Sequence, residues 1–206
     1  MPNATNTKPV PRIGVDKYTL FKVMADAAEG TTYGEAVPIP GTVEIAPTDN
    51  GATDTFDADN GAYVIEDYLE SLGHTLTNAD IPPEIDAMMR GLETKDGGVE
   101  VGKETKAPYF AVAWRVQMAN GVYRLVRYYK GKYGFASPVG GKTKPSQGAA
   151  EKQTATATFS AVARDFDNQY YYYLDTDKLP EGVDEATAME QWFTNPNWYP
   201  STQAAE

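Results

Sequence analysis

Few side chains in this chain stand in a pattern that could ligate a metal, attack a bond or move a proton. There is no cysteine, so neither a thiolate metal site nor a disulfide framework is possible. His74 is the only histidine; alone on a predicted strand, with no HExxH-type partner, it makes neither a zinc site nor a nucleophile–base pair and reads as structural. No GxSxG, Walker A or GxGxxG sequence occurs. Asp57-x-Asp59-Asn60-Gly61 looks like a fragment of a calcium loop. The template fails, because the glycine falls one residue early and Tyr68 stands where the bidentate glutamate belongs. Asp and Asn shaping an exposed turn is the simpler reading, and no cofactor is expected. Carboxylates abound without marking a cleft, so no glycosidase pair stands out. Arg124, Arg127, Lys130 and Lys132 interleave with tyrosines, which in isolation suits nucleic acid. A chain with 29 acidic and 18 basic residues, net charge −11, is poorly made for gripping phosphates. These cations are expected to meet acidic neighbours instead, such as the 48–67 segment of another subunit.

The element that carries the basic cluster is also the clearest in the chain. Residues 107–134 read APYFAVAWRVQMANGVYRLVRYYKGKYG, two runs rich in β-branched and aromatic residues flanking Asn120-Gly121. Asn-Gly supplies the positive φ angles of a type I′ hairpin turn. Phe110, Val112, Trp114, Val116 and Met118 alternate with Ala111, Ala113, Arg115 and Gln117; Val122, Arg124, Val126 and Tyr128 alternate with Tyr123, Leu125, Arg127 and Tyr129. One face belongs to a core, and the other needs something larger than solvent to pack on.

Around this hairpin the pattern predicts strands over 16–25, 42–47, 68–79, 153–164 and 169–174, the last two paired through a turn near 165–168. Residues 27–40 read as a loop with a short strand, and 93–106 and 135–152 as soft loops. Residues 48–67 carry six acidic residues and no basic one, yet Phe56, Tyr63, Val64 and Ile65 argue against disorder. Turn signals at 49–51 and 59–61 make this a β-excursion projecting from the body. Residues 83–92 form an amphipathic helix with Ile85, Met88, Met89 and Leu92 in one stripe, entered through Pro82-Pro83. Asp184 can cap a second helix over 185–193, and Trp192, Phe193, Trp198 and Tyr199 are too apolar for a free tail.

The organisation expected is an N-terminal arm (1–14), a β domain (15–178) with the 48–67 excursion and the 81–93 helix segment, and a C-terminal helix and arm (179–206). The 14 tyrosines favour an all-β protein with much half-buried surface. No apolar h-region or membrane-length run is present, so a soluble protein made in the cytosol is expected.

Taken in order, IGVDKYTLFKVMAD (13–26), PIPGTVEIAPT (38–48), DTFDADNGAY (54–63), TLTNADIPPEIDAMMRGLE (75–93) and the 107–133 hairpin resemble the major tail proteins of phages and prophages of Gram-positive bacteria with long non-contractile tails. ADNGAY, NADIPPEI and YKGKY are the most specific pieces, and the likeness spans about residues 13–175. It implies a mainly β protomer, a β-sandwich or barrel flanked by one helix, with a long projecting loop and extended terminal arms. Such subunits assemble as hexameric rings stacked into a tail tube, without catalysis. Their strands join across subunits around a lumen, and the loop and arms contact the adjacent ring. The implied partners are the chain itself, the tape measure, tail terminator and distal tail proteins, and DNA that passes without specific binding; the implied location is the virion, after synthesis in the bacterial cytoplasm. An acidic lumen wall would repel DNA; parts of 107–134 and 153–174 are expected to line it. The interface residues expected are Asp49, Asp54, Phe56, Asp57, Asp59 and Tyr63 on the excursion, Arg124, Arg127 and Lys130 as basic contacts, and Trp192 and Trp198 on the C-terminal arm. The alternative is a monomeric β-sandwich binding module, for example for carbohydrate, using Tyr170–Tyr173 or Trp198 as a stacking platform.

Overall fold

The computed structural model describes residues 8–58 and 60–201. In chain order the elements are β1 (Arg12–Ala27), β2 (Gly30–Pro38), β3 (Thr42–Pro47), β4 (Asn50–Ala58), β5 (Gly61–Asn78), α1 (Pro83–Arg90), β6 (Glu93–Lys95), β7 (Gly98–Glu100), β8 (Phe110–Met118), β9 (Tyr123–Tyr133), β10 (Ala155–Ala161), β11 (Tyr171–Asp175) and α2 (Glu185–Thr194). The protein is mainly β. Nine strands form one antiparallel sheet in the order β2-β1-β8-β9-β10-β5-β3, with β11 added to β9 and β4 to β5, while β6 and β7 make a separate small hairpin.

The sheet forks at β9. Its outer edge pairs with β11 over Arg124–Tyr128 and then with β10 over Gly131–Tyr133. Two glycines allow β10 to cross there: a Cβ on Gly131 would strike the Phe159 ring, and one on Gly73 the Phe159 carbonyl oxygen. Both halves of the sheet contribute to one core, where Tyr18, Leu20, Val112, Trp114 and Tyr128 meet Leu72, Leu76 and Phe159. The sheet therefore folds over its core. Among the described residues it does not close into a barrel, because β2 and β3 remain its two ends. That corrects the barrel half of the sequence expectation.

Apolar spacing explains most elements. The α1 stripe closes one end of the core through Met89, with Ile85 and Met88 half-buried against it. Gly91 ends the helix in the left-handed region at φ 67°, where a Cβ would meet the Lys106 carbonyl oxygen. Trp192 of α2 lies fully buried on the opposite face of the sheet against Phe21, Ala111, Ala113 and Leu125. The two alanines make room for the indole, which is why that face of β8 is small.

Several expectations need correction. Gly121 has φ 86°, but Asn120 does not have positive φ, and Gly121 N donates to Met118 O at 3.0 Å. The turn is therefore a type I turn followed by a glycine bulge, not type I′. The type I′ signature belongs to Asp96 (φ 49°) and Gly97 (φ 79°), which close the β6–β7 hairpin inside the expected 93–106 loop. The 49–51 signal is not a turn, because β4 starts at Asn50. β2 is a full nine-residue strand. β11 pairs with β9 rather than β10, because the chain after β10 runs on along the same edge of β9: Val162 N donates to Lys130 O, and Tyr129 N donates to Tyr170 O just before β11.

Gly131→Ala should destabilise the protein by about 1–3 kcal/mol through this overpacking. Urea unfolding monitored by circular dichroism checks it, and an unchanged midpoint would mean that the Phe159 ring can move aside.

Candidate functional site

The densest run of exposed large apolar side chains among the described residues lies on the arm formed by β4 and the first half of β5. Register pairs Asn50 with Ser71, Ala52 with Tyr68, Asp54 with Glu66, Phe56 with Val64 and Ala58 with Gly61. Asn60, in the left-handed region at φ 63°, turns the tip. Cross-strand partners share a face. One face thus carries Phe56, Val64 and Tyr68 around the acidic pair Asp54–Glu66; the other carries Tyr63, Ile65 and Leu69, with Thr53 Oγ1 donating to Asp67 at 2.6 Å. Phe56 is 64% exposed, Tyr63 71% and Ile65 63%, far beyond what an isolated hairpin in water stabilises. Asp54 directly opposite Glu66 is a like-charge pair, which destabilises the ladder until a cation approaches. Asp49 sits at the base and accepts from Gly73 N at 3.3 Å. The Asp57 side chain and Asp59 lie outside the described residues. Among the described residues no group of His, Cys, Asp or Glu is arranged to hold a metal, and no helix is long and apolar enough to cross a membrane.

The basic cluster is engaged within the chain. Strand alternation sends Arg124 and Arg127 to opposite faces. Arg124 bonds both oxygens of Asp175 at 2.6 and 2.9 Å, holding that carboxyl below its usual range. Lys130 bonds Asp26 at 2.6 Å and reaches Asp165 at 3.4 Å. Burial alone would push the Asp26 carboxyl up, but the ammonium, the Asp165 amide and the Thr31 hydroxyl together hold it down. Lys132 lies over the Tyr109 ring at 4.1 Å.

Arg127 is fully buried, and among the described residues it makes no ion pair. Its guanidinium donates to the backbone carbonyls of Asn195 at 3.3 Å and Trp198 at 3.1 Å, and also to that of Pro196. It stacks 4.1 Å over Trp192, and burial lowers its pKa to about 10. The Trp192 indole donates to Val126 O at 3.2 Å. Asp184 caps α2 by accepting from Thr187 N at 2.9 Å. Trp192 is fully buried and Trp198 half-buried, so the C-terminal helix and arm dock on this chain's own sheet. Sequence reasoning missed this clamp. Its only local signal was the alternation that points Arg127 and the alanines the same way.

His74 is completely buried, ringed by Trp114, Tyr128 and Phe159, and shares a 2.6 Å hydrogen bond with the Tyr18 hydroxyl, which in turn bonds Tyr133 at 2.8 Å. Burial lowers its pKa to about 3, which keeps it neutral and structural. An open cleft of about 710 Å³ between the halves of the sheet is lined by Trp114, Tyr128, Tyr171 and Tyr173. The flat faces of these rings stack on one another, and Arg124 lies over Tyr173 at 5.7 Å. A sugar would have to displace that stacking to use them as a platform.

No protein-family model matches this chain, and a search of the curated proteins gives no match.

His74 sets a pH dependence. Its folded pKa lies below the unfolded value of about 6.5, so the unfolded chain binds the proton first. Its contribution is complete above that value and is lost as pH falls toward 3. Lowering pH from 7 to 5 should remove about 2 kcal/mol through this residue. Urea unfolding of the wild type against His74→Gln measures it, and equal slopes with pH in both proteins would refute it.

Proposed function

We propose that this chain is a structural, self-assembling subunit, the major tail protein of a long non-contractile phage tail, in a β-sandwich tail-tube fold. Copies join as hexameric rings and stack into a tube for DNA ejection. The observation that carries this reading is the β4–β5 arm, which holds apolar side chains out to solvent on both faces and requires a macromolecular partner. The succession of sequence segments that resembles major tail proteins agrees with it.

Other features are consistent. The open ends of the sheet, β2 and β3, offer unpaired backbone groups that ring closure would satisfy. A net charge of −11 suits a conduit wall that must let DNA slide. In this reading the tape measure, tail terminator and distal tail proteins bound the tube, the protein resides in the virion, and its role involves neither cofactor nor catalysis. The rival reading, a monomeric carbohydrate-binding module, draws on the aromatic cleft and needs no arm.

Negative-stain electron microscopy of the purified protein across concentration should show rings or hollow tubes with an axial repeat. A variant in which residues 52–68 are exchanged for Asn-Gly should keep a folded protomer and lose assembly. A variant that still builds tubes would overturn the role given to the arm. A wild-type protein that stays monomeric, even with nucleating tail-tip components, while binding glycans, would favour the rival.

A further inference from the structure

We propose that the β4–β5 arm of one copy docks on the loop between β9 and β10 of a second copy. This inference rests on the self-assembly reading above and adds the receptor surface.

The two surfaces are complementary in both hydrophobicity and charge. Every charged residue from Asp49 to Glu70 is acidic, and Phe56, Tyr63 and Ile65 stand exposed among them. Between β9 and β10, residues 135–153 hold three lysines against the single Glu151. The same loop exposes Phe135 at 53% and Val139 at 84%. Several other cations are already occupied: Arg115 by Asp16, Arg124 by Asp175, Lys130 by Asp26 and Arg164 by Asp167. Lys95 and Lys103 each have a glutamate within 4.0 Å. Lys142 meets Glu151 at 3.5 Å with both side chains about three-quarters exposed, a contact that a better partner displaces at little cost. Among the described residues, Lys144 and Lys152 make no ion pair within 4.0 Å. Lys8, Arg12, Lys17, Lys22 and Lys106 also make no ion pair among the described residues, but they stand singly in the sequence, not side by side like Lys142 and Lys144.

Register fixes where the surfaces lie. The arm leaves the body at Ser71, opposite Asn50, whereas the loop enters β10 at Ala155, opposite Asn78. Seven residues of one strand separate these points, roughly 23 Å at about 3.3 Å per residue, and the arm continues in the opposite direction from the loop. It cannot reach its own loop. A contact between two different patches at opposite poles is heterologous, and it repeats from copy to copy along one axis. The like-charge pair Asp54–Glu66 gains the cation that its own sheet lacks.

The test reverses charge on each side. Lys142→Glu, Lys144→Glu and Lys152→Glu combined lie in an exposed loop without helix or strand and should leave the circular dichroism spectrum unchanged. Placing like charges at the contact should raise the critical concentration for assembly by roughly tenfold or more, read by light scattering and sedimentation. Adding Asp54→Lys and Glu66→Lys to that variant should restore assembly, and those two changes alone should impair it. If the lysine variant builds tubes at the wild-type concentration, the receptor assignment fails while the assembly reading stands. If the lysine variant is impaired but the arm reversal does not rescue it, the pairing fails. A wild-type protein that assembles under no condition overturns both.

Discussion

Three residue pairs between β9 and β10, from Phe159–Tyr133 to Ala161–Gly131, carry the continuity of the whole sheet. On one side lie β1, β2, β8, β9 and β11; on the other lie β10, β5, β3 and β4. The junction exists because Gly131 and Gly73 give up their side chains to the Phe159 ring and backbone. That close approach lets the two halves face each other at core distance. The His74–Tyr18–Tyr133 hydrogen bonds, both made by the Tyr18 hydroxyl, then tie β1, β5 and β9 together inside it. A polar trio so deep is favourable only while each member stays neutral, since charging any of them in that setting costs several kcal/mol.

Electrostatics divides the molecule between uses within the chain and uses beyond it. Strong pairs such as Arg164–Asp167 and Arg90–Asp86 form where side chains are buried enough for screening to be weak. Arg127 shows a different solution, a buried guanidinium that, among the described residues, is solvated by carbonyl dipoles and an indole face without an ion pair. It converts a tail that would otherwise fray into part of the sheet's outer layer. The acidic residues of the arm remain outside this internal economy, and it is there that the sequence is most one-sided.

Much of the fold was legible because it is written in short-range periodicity. The β3 bounds follow from TVEIAP, the α2 cap from Asp184, and the projecting hairpin from aromatic residues embedded among aspartates. What was not legible depends on pairs far apart in sequence. Nothing near Tyr171 says that it meets Tyr128 rather than the strand just before it. Nothing near Arg127 names the carbonyls of residues 195–198, although alternation does say that it cannot share a face with Arg124. The Asp96-Gly97 turn was written plainly and lost among the charged residues of its loop. For the arm, sequence could show that it projects and is acidic; which faces its apolar side chains share required the register.

β5 begins in solvent and ends in the core as one unbroken strand of 18 residues. Over its inner half it is flanked by β10 on one side and β3 on the other, both antiparallel to it. A pull on the tip along the strand therefore does not peel bonds away one at a time, as it would for a terminal hairpin. It loads the hydrogen bonds of both flanking ladders together, in shear, where none can break until many give way. Force applied at the tip thus reaches the centre of the protein directly, with no intervening loop to stretch.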